Sequence, residues 1–344
     1  MQATEIVLPG IGEPESLEVR TRELPEPAPG QGVVRVEATG VSFAEQQMRR
    51  GKYYDQPAFP FVPGYDLVGV VERSGGGPGD PAAGVRVAAL TKTGGWADRA
   101  LLDSADLVPV PDGVDAAEAE TVVVNGVTAW RMLHRSARVA AGDTIVVLGA
   151  AGGVGSTLVQ LARHAGVRVI GTAGPVQQQR LRELGAIPID YRSEDVPARV
   201  RELAPGGVQA VFDHVGGDGI VDSWRMLARG GTLVSYGTAA TRDVPGNPRL
   251  PVLKLLGRLT LWNTLPNGRR ATFFNLWAGK RLRPSRFREQ LRADLGRVLA
   301  LLDEGALSAQ IARRFPLTDA AAALAYAERG GIAGKVVIEP QASA

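Results

Sequence analysis

The chain has 344 residues, 44% hydrophobic and 22% charged, which at about 100–200 residues per domain suits two folded domains and excludes disordered or collagen-like structure. Lys and Arg number 39 against 36 Asp and Glu, with lysine rare, so no Lys-rich nucleic-acid tail is present. Zero cysteines exclude disulfides, thiolate catalysis, iron–sulfur clusters and Cys-ligated zinc.

The opening residues, MQATEIVLPG, lack a basic stretch followed by an apolar core, and no run reaches about 18 uninterrupted apolar residues; a cytoplasmic protein without membrane insertion is expected. From residue 1 to about 120 the apolar pattern has period two, at Leu17 and Val19, then Val34, Val36 and Ala38, then Val68, Val70, Val85 and Val87. With Gly/Pro clusters between the runs, it reads as an all-β region. From about 121 to 240 the strand-like runs Thr144 to Leu148, Arg168 to Ile170, Val208 to Phe212 and Thr232 to Tyr236 alternate with three helices, the pattern of a doubly wound parallel sheet.

After 240 a less regular apolar and basic stretch leads to a strand-like Thr272-Phe273-Phe274. Phe287, Leu291, Leu295, Val298 and Leu302 then form one helical stripe, with Ser285 as the expected N-cap and Gly305 after the last turn. A last helix from about Asp319 to Glu328, capped by Thr318, precedes a Lys335 to Ile338 strand.

The chemistry centres on VVLGAAGGVGSTLVQLA at 146 to 162. Ala150, Gly152 and Gly155 stand in an AxGxxG dinucleotide turn directly between a strand and a helix, and the backbone N–H groups near Gly153 and Val154 face a pyrophosphate. Some twenty residues on, where an NAD site places Asp or Glu, the chain has Thr172 and Ala173. Gln178, Arg180, Arg182, Tyr191 and Arg192 follow; they suit a 2′-phosphate and favour NADPH, or are solvated helix-face charges.

Seven ordered blocks carry a resemblance: RRGKYYDQPAFPFVPGYDLVG, GGWADRALL, VNGVTAW, GAAGGVG, VFDHVGG, GGTLVSYG and GGIAGKVVI. The chain resembles the medium-chain dehydrogenase/reductase superfamily, in its zinc-free quinone oxidoreductase branch of the zeta-crystallin type. The resemblance implies an α/β fold in which a Rossmann doubly wound parallel sheet is inserted in a GroES-like β-domain. Residues 1–120 and 283–344 are then the GroES-like catalytic domain and 121–282 the dinucleotide-binding domain. It also implies that the Lys335 strand returns to the first domain. Zinc-dependent relatives carry a His after the PG turn, where this chain reads Gly64-Tyr65-Asp66. His134 and His164 read as structural, and so does His214, although it lies beside the expected nicotinamide.

By the same resemblance Tyr53 is the substrate-polarising hydroxyl or a pocket-wall aromatic. Ser42, standing where relatives have Asn, is its candidate companion, and Glu45 replaces an Asp. Asn125, Thr128, Val215, Tyr236 and Gly237 match positions near the nicotinamide. Ala150, Ala151, Gly152, Gly153, Val154 and Gly155 belong to the phosphate turn, and Thr172, Ala173, Gln178 and Tyr191 to the adenosine end.

Without a metal Lewis acid, reduction of a quinone or a conjugated C=C is favoured over alcohol oxidation. The implied activity is NADPH-dependent reduction of a quinone or α,β-unsaturated carbonyl. The alternatives are a non-redox nucleotide-binding protein and a cyclase or isomerase on the same scaffold. The apolar and aromatic residues of 241 to 283 imply a hydrophobic small-molecule substrate. The strand at Thr272 to Asn275 implies a sheet edge that pairs with a second subunit in a homodimer.

Overall fold

The computed structural model describes residues 1–241 and 249–341. The chain divides into two compact units, Met1–Val127 with Gly279–Ala344, and Thr128–Ala278.

The first unit begins with β1 (Gln2–Val7) and β2 (Glu18–Glu23), an antiparallel pair. β2 is exposed throughout, Val19 included, whereas Leu17 just before it packs against the core around Phe315 and Leu324. β3 (Gln31–Val41) follows, then the short α1 (Phe43–Arg49), β4 (Asp66–Ser74), β5 (Arg86–Leu90), β6 (Arg99–Asp103), β7 (Val108–Pro109) and α2 (Ala116–Trp130). The expected all-β region is thus interrupted by α1. Alternate residues of β3, β4 and β5 close one core around Val34, Val36, Leu67, Val71, Val87 and Ala89, as period two requires.

The second unit starts at the end of α2, which passes into a π-helical segment, Arg131–Ala137. β8 (Thr144–Val147), α3 (Gly153–His164), β9 (Arg168–Ala173), α4 (Gln178–Glu183), β10 (Ile187–Asp190), α5 (Val196–Leu203), β11 (Val208–Asp213), α6 (Ile220–Arg225), β12 (Leu227–Ser235), α7 (Arg249–Thr264) and β13 (Arg270–Phe273) complete it. The strands are parallel, in the order β10-β9-β8-β11-β12-β13. This is the doubly wound arrangement, whose ligands bind beyond the carboxyl ends of the strands. Val146, Ile170, Ile189, Val211 and Leu233 form its core.

Three sequence expectations change here. The stretch after 240 is helical from Arg249, while 242–248 lie outside the described residues. Its helix, α7, has no clean apolar stripe: Leu255 and Leu259 are buried, whereas Leu250, Leu253, Leu261 and Leu265, beside and just beyond it, are exposed. A strand, β10, also lies between helices where none was expected. β13 stands at the sheet edge, and the Asn263 side chain donates to Ala271 O at 2.7 Å and accepts from Ala271 N at 2.9 Å. That part of the edge is thereby occupied from within the chain.

The chain re-enters the first unit with α8 (Pro284–Asp303), β14 (Ile311–Pro316), α9 (Ala320–Glu328) and β15 (Lys335–Glu339). α8 starts one residue before Ser285, with Pro284 at its first position and Arg283 before it; proline needs no N–H there, which displaces the expected cap. Thr318 likewise lies inside a 3₁₀ turn, Leu317–Asp319, and Asp319 precedes α9. β15 pairs antiparallel with β3 and parallel with β14, so the chain's last strand does return to the first sheet.

At the start of β15, Lys335 Nζ lies 2.7 Å from Asp66 Oδ2 and contacts Glu120 Oε1, with all three side chains buried. Asp66 Oδ2 also accepts from Val124 N at 2.8 Å. Two carboxylates and one ammonium leave an excess negative charge, and burial together with Asp66 pushes the Glu120 carboxyl well above its ordinary range, against the pull of Lys335. The folded protein therefore holds a proton on Glu120 that the unfolded chain releases above about pH 4.5. Raising pH from there destabilises the fold, by up to about 1.4 kcal/mol per pH unit, until the folded carboxyl also ionises. Glu120→Gln removes that loss, so urea midpoints should show the variant gaining on the parent protein between pH 5 and pH 8.

Candidate active site

In the second unit the dinucleotide turn is fixed by β9. Thr172 Oγ1 accepts from Gly149 N at 3.0 Å, and Thr172 O accepts from Ala150 N at 2.9 Å. Thr172 thus anchors the turn through both its hydroxyl oxygen and its carbonyl. Gly149 has φ +69, and a Cβ there would meet His214 Cε1 at 2.2 Å. A Cβ on Gly155 would stand 2.3 Å from Gly149 O, so the first turn of α3 can approach the loop only with glycine at that position.

The α3 N-cap is Gly152, with no side chain closing it. The opening N–H groups of a helix lack intrahelical partners, and here Gly153, Val154 and Gly155 present them. Ala150 and Ala151 are buried behind them. This cradle fits a dinucleotide pyrophosphate: a helix N-terminus favours an anion, and no side chain competes for the site.

At the carboxyl end of β9, Ala173 is buried and followed by Gly174. A Cβ on Gly174 would come within 3.8 Å of both Tyr191 Oη and Arg192 Nε, so these two side chains flank the strand end. Tyr191 is exposed, and the Arg192 guanidinium lies 6.0 Å from its ring centre. Gln178 Nε2 donates to Ala173 O at 2.8 Å and Gly174 O at 3.3 Å. Its amide nitrogen thereby holds the strand end. The nearby Asp190 carboxylate accepts from Arg192 N and Ser193 Oγ, within its own turn.

The loop after β11 is organised by Asp213, a residue the sequence reading passed over. Its buried carboxylate accepts from Val215 N and Gly216 N, each at 2.8 Å, and from Ser223 Oγ at 2.6 Å. His214 Nδ1 lies 3.0 Å from Leu148 O, which assigns the proton to that nitrogen because a carbonyl only accepts. Burial lowers the His214 pKa, against the opposing field of Asp213, and keeps the imidazole neutral. Tyr236 lies with its ring centre 5.9 Å from that of His214, and burial raises its phenol above the ordinary value. A Cβ on Gly237 would stand 2.8 Å from His214 O, so this loop and the end of β12 touch through backbone. Val215 is exposed.

In the first unit Ser42 is the N-cap of α1. Its Oγ accepts from Ala44 N at 3.1 Å and bonds the Glu45 carboxylate, which also accepts from Ser42 N at 2.9 Å. This reciprocal capping box commits the Ser42 hydroxyl to the helix end, a structural role in place of the catalytic one expected. Glu45 is buried; its other oxygen accepts from Tyr65 N at 2.7 Å. Desolvation raises its pKa, with Ser42 opposing.

Tyr53 is buried, with its hydroxyl 2.9 Å from that of Tyr65 and its ring centre 4.9 Å from that of Tyr54. Burial holds the Tyr53 phenol far above its ordinary pKa, so it stays protonated across the physiological range. Asn125 and Thr128 are buried one turn apart on α2. Among the described residues no three His, Cys, Asp or Glu side chains converge to hold a metal ion, and no helix is long and apolar enough to cross a membrane.

Residues 28–112 match the family model for an alcohol dehydrogenase GroES-like domain, and 184–338 that for a zinc-binding dehydrogenase. The mouse synaptic vesicle membrane protein VAT-1 homolog is 30% identical over 97% of this chain and 83% of its own length. The chain belongs to the medium-chain dehydrogenase/reductase superfamily, in its zinc-free, quinone oxidoreductase-like branch. Escherichia coli quinone oxidoreductase, solved in complex with NADPH, superposes with a TM-score of 0.85 at 26% identity, covering 98% of this chain and all of that one. A mycobacterial protein complexed with NADPH gives a TM-score of 0.82 at 31% identity over 98% of this chain and 100% of its own. The fold is therefore the GroES-like and Rossmann combination, and the protein is an oxidoreductase of this superfamily.

Gly155→Ala puts a methyl group against Gly149 O and displaces the α3 N-terminus. Dinucleotide affinity should fall by at least about tenfold with the fold retained, as read by quenching of tryptophan fluorescence and by circular dichroism.

Proposed function

We propose that the protein is a cytoplasmic NADPH-dependent reductase that delivers hydride to a quinone or an α,β-unsaturated carbonyl, without a metal. The observation that carries this reading is the dinucleotide turn whose neighbouring strand end is flanked by Tyr191 and Arg192, while the Asp190 carboxylate is spent in its own turn. A guanidinium and a phenol suit a 2′-phosphate, where a carboxylate would hold a 2′-hydroxyl. NADPH complexes of two superfamily members, one mycobacterial and one from Escherichia coli, support the same cofactor.

When bound, NADPH supplies the hydride. The chain's own residues bind and orient: the α3 N-terminus holds the pyrophosphate, and the Asp213-ordered loop with Tyr236 and Gly237 lines the nicotinamide end. Asn125 and Thr128 add polar groups near it. Tyr53 is the hydrogen-bond donor that polarises the acceptor oxygen and yields its proton as charge develops there. Ser42 and Glu45 are accounted for as a capping box, so they lend nothing to a non-redox reading. The hydrophobic substrate and the homodimer, formed along residues 272–275, belong to the same proposal. A dimer mass in light scattering at micromolar concentration supports that pairing, and a monomer mass removes it.

The test is loss of 340 nm absorbance with NADPH, and separately NADH, against 9,10-phenanthrenequinone and a short enone. Turnover with NADPH exceeding that with NADH is expected. Tyr53→Phe should lower kcat by about a hundredfold with NADPH affinity unchanged. Binding of NADPH without oxidation across both acceptors would move the protein to the non-redox class.

A further inference from the structure

His214 has two ring nitrogens, and the fold uses one of them. Nδ1 gives its proton to Leu148 O at 3.0 Å, which ties the loop after β11 to the end of β8 and leaves Nε2 as a bare lone pair. Burial holds the ring neutral, so that lone pair stays open to a donor. Among the described residues nothing donates to it.

Tyr236, at the end of the neighbouring strand β12, has a hydroxyl in the same condition. Its ring centre lies 5.9 Å from that of His214 with the planes 35° apart, and its Oη makes no hydrogen bond among the described residues. Both side chains are half-buried, and neither of the two free atoms is enclosed. Burial and the Asp213 carboxylate keep the phenol protonated, so it is a standing donor.

The pair stands where a dinucleotide crosses the sheet. β8 and β11 are neighbours in the order β10-β9-β8-β11-β12-β13 at the point where the order reverses, and ligands of doubly wound sheets bind in the crevice at that point. His214 also lies against the phosphate turn itself: a Cβ on Gly149 would stand 2.2 Å from its Cε1 and 3.0 Å from its Nε2. The α3 N-terminus already provides for the anionic part of the ligand, and an uncharged acceptor beside an uncharged donor adds nothing for a phosphate. Such a pair complements a group that carries an N–H and a carbonyl together. In NADPH, at the end away from the adenosine, that group is the nicotinamide carboxamide.

We propose that His214 and Tyr236 read the carboxamide of the cofactor, Nε2 accepting from its amide N–H and Oη donating to its carbonyl, and so set the rotation of the ring that offers one face to the hydride acceptor. This rests on the NADPH-dependent reading above. Neither side chain gains or loses a proton in the step. His214 thus joins a structural bond through Nδ1 to a ligand bond through Nε2.

The experiment uses the full-length protein with His214→Asn and Tyr236→Phe. An asparagine amide N–H stands near the place of Nδ1 and keeps the Leu148 bond while the Nε2 acceptor is gone; phenylalanine removes the hydroxyl alone. Affinity is read by tryptophan fluorescence for NADP⁺ and for its 3-acetylpyridine analogue, in which a methyl group replaces the amide NH2 and the carbonyl stays. For NADP⁺ each variant should bind about three- to tenfold more weakly. For the analogue His214→Asn should cost less than about twofold, because the bond it removes is already missing, whereas Tyr236→Phe should cost what it did before. An equal loss for both nucleotides in His214→Asn, as a ribose contact would give, or no loss for NADP⁺ in either variant, overturns the proposal. A second readout is the ¹⁵N spectrum of labelled histidine, of which the chain has three. The Nε2 resonance that disappears in His214→Asn should move upfield when the parent protein binds NADP⁺ and stay in place with the analogue; a shift alike with both overturns the contact. A parent protein that shows these signatures yet oxidises NADPH against neither acceptor supports the carboxamide contact and overturns the reductase activity, and one that binds no dinucleotide overturns both.

Discussion

The first unit depends on one buried ammonium. Lys335 opens the chain's last strand, yet its Nζ sits between carboxylates contributed by the start of β4 and the first half of α2. An unpaired charge at such a site is prohibitive, so the placement of β15, the entry of β4 and the seating of α2 constrain one another. Asp66 also takes the Val124 N–H, immediately before Asn125, and Tyr65 immediately precedes Asp66. The phenols and the polar residues of α2 are thereby referenced to a single charge cluster, which sits where no solvent can screen it.

The second unit achieves its shape by the opposite means. Its phosphate turn is built almost without charge: a threonine hydroxyl and carbonyl pin the loop, a neutral histidine bonds the end of β8, and glycines stand where a methyl group would strike backbone or ring. Asp213, the one buried carboxylate among this unit's described residues, is spent on the N–H groups of the following loop and on Ser223 of α6. The field left at the α3 N-terminus is then that of the helix and its N–H groups, the condition under which a phosphate is held by backbone.

Much of this was legible in the sequence. The AxGxxG turn follows a strand and opens a helix, and the returning Lys335 strand followed from the family resemblance. The capping box was also present as Ser42 and Glu45 three residues apart, although the resemblance drew attention to what those residues replaced and away from what they do together. α7 was illegible because its leucines face both the core and the surroundings, which erases the helical period. The Lys335 cluster and the Tyr53–Tyr65 bond were hidden for a different reason: no local pattern announces a contact between residues far apart in the chain or held together across a loop. The bonds that Gln178 and Thr172 make to adjacent backbone were equally hidden, because the sequence shows their polar atoms and not the strand ends and turns those atoms meet.

The pairing of β15 with β3 also has a consequence for the order in which the molecule can be made. The Rossmann unit is contiguous in sequence and can close as soon as residue 278 has left the ribosome. The first unit cannot, because β3 precedes the Rossmann unit in the chain and its partner strand β15 follows it. At about 5–20 residues per second the wait is on the order of tens of seconds. During it the nascent domain carries an unpaired strand edge with two carboxylates lacking their cation beside it, and the arrival of Lys335 removes both at once.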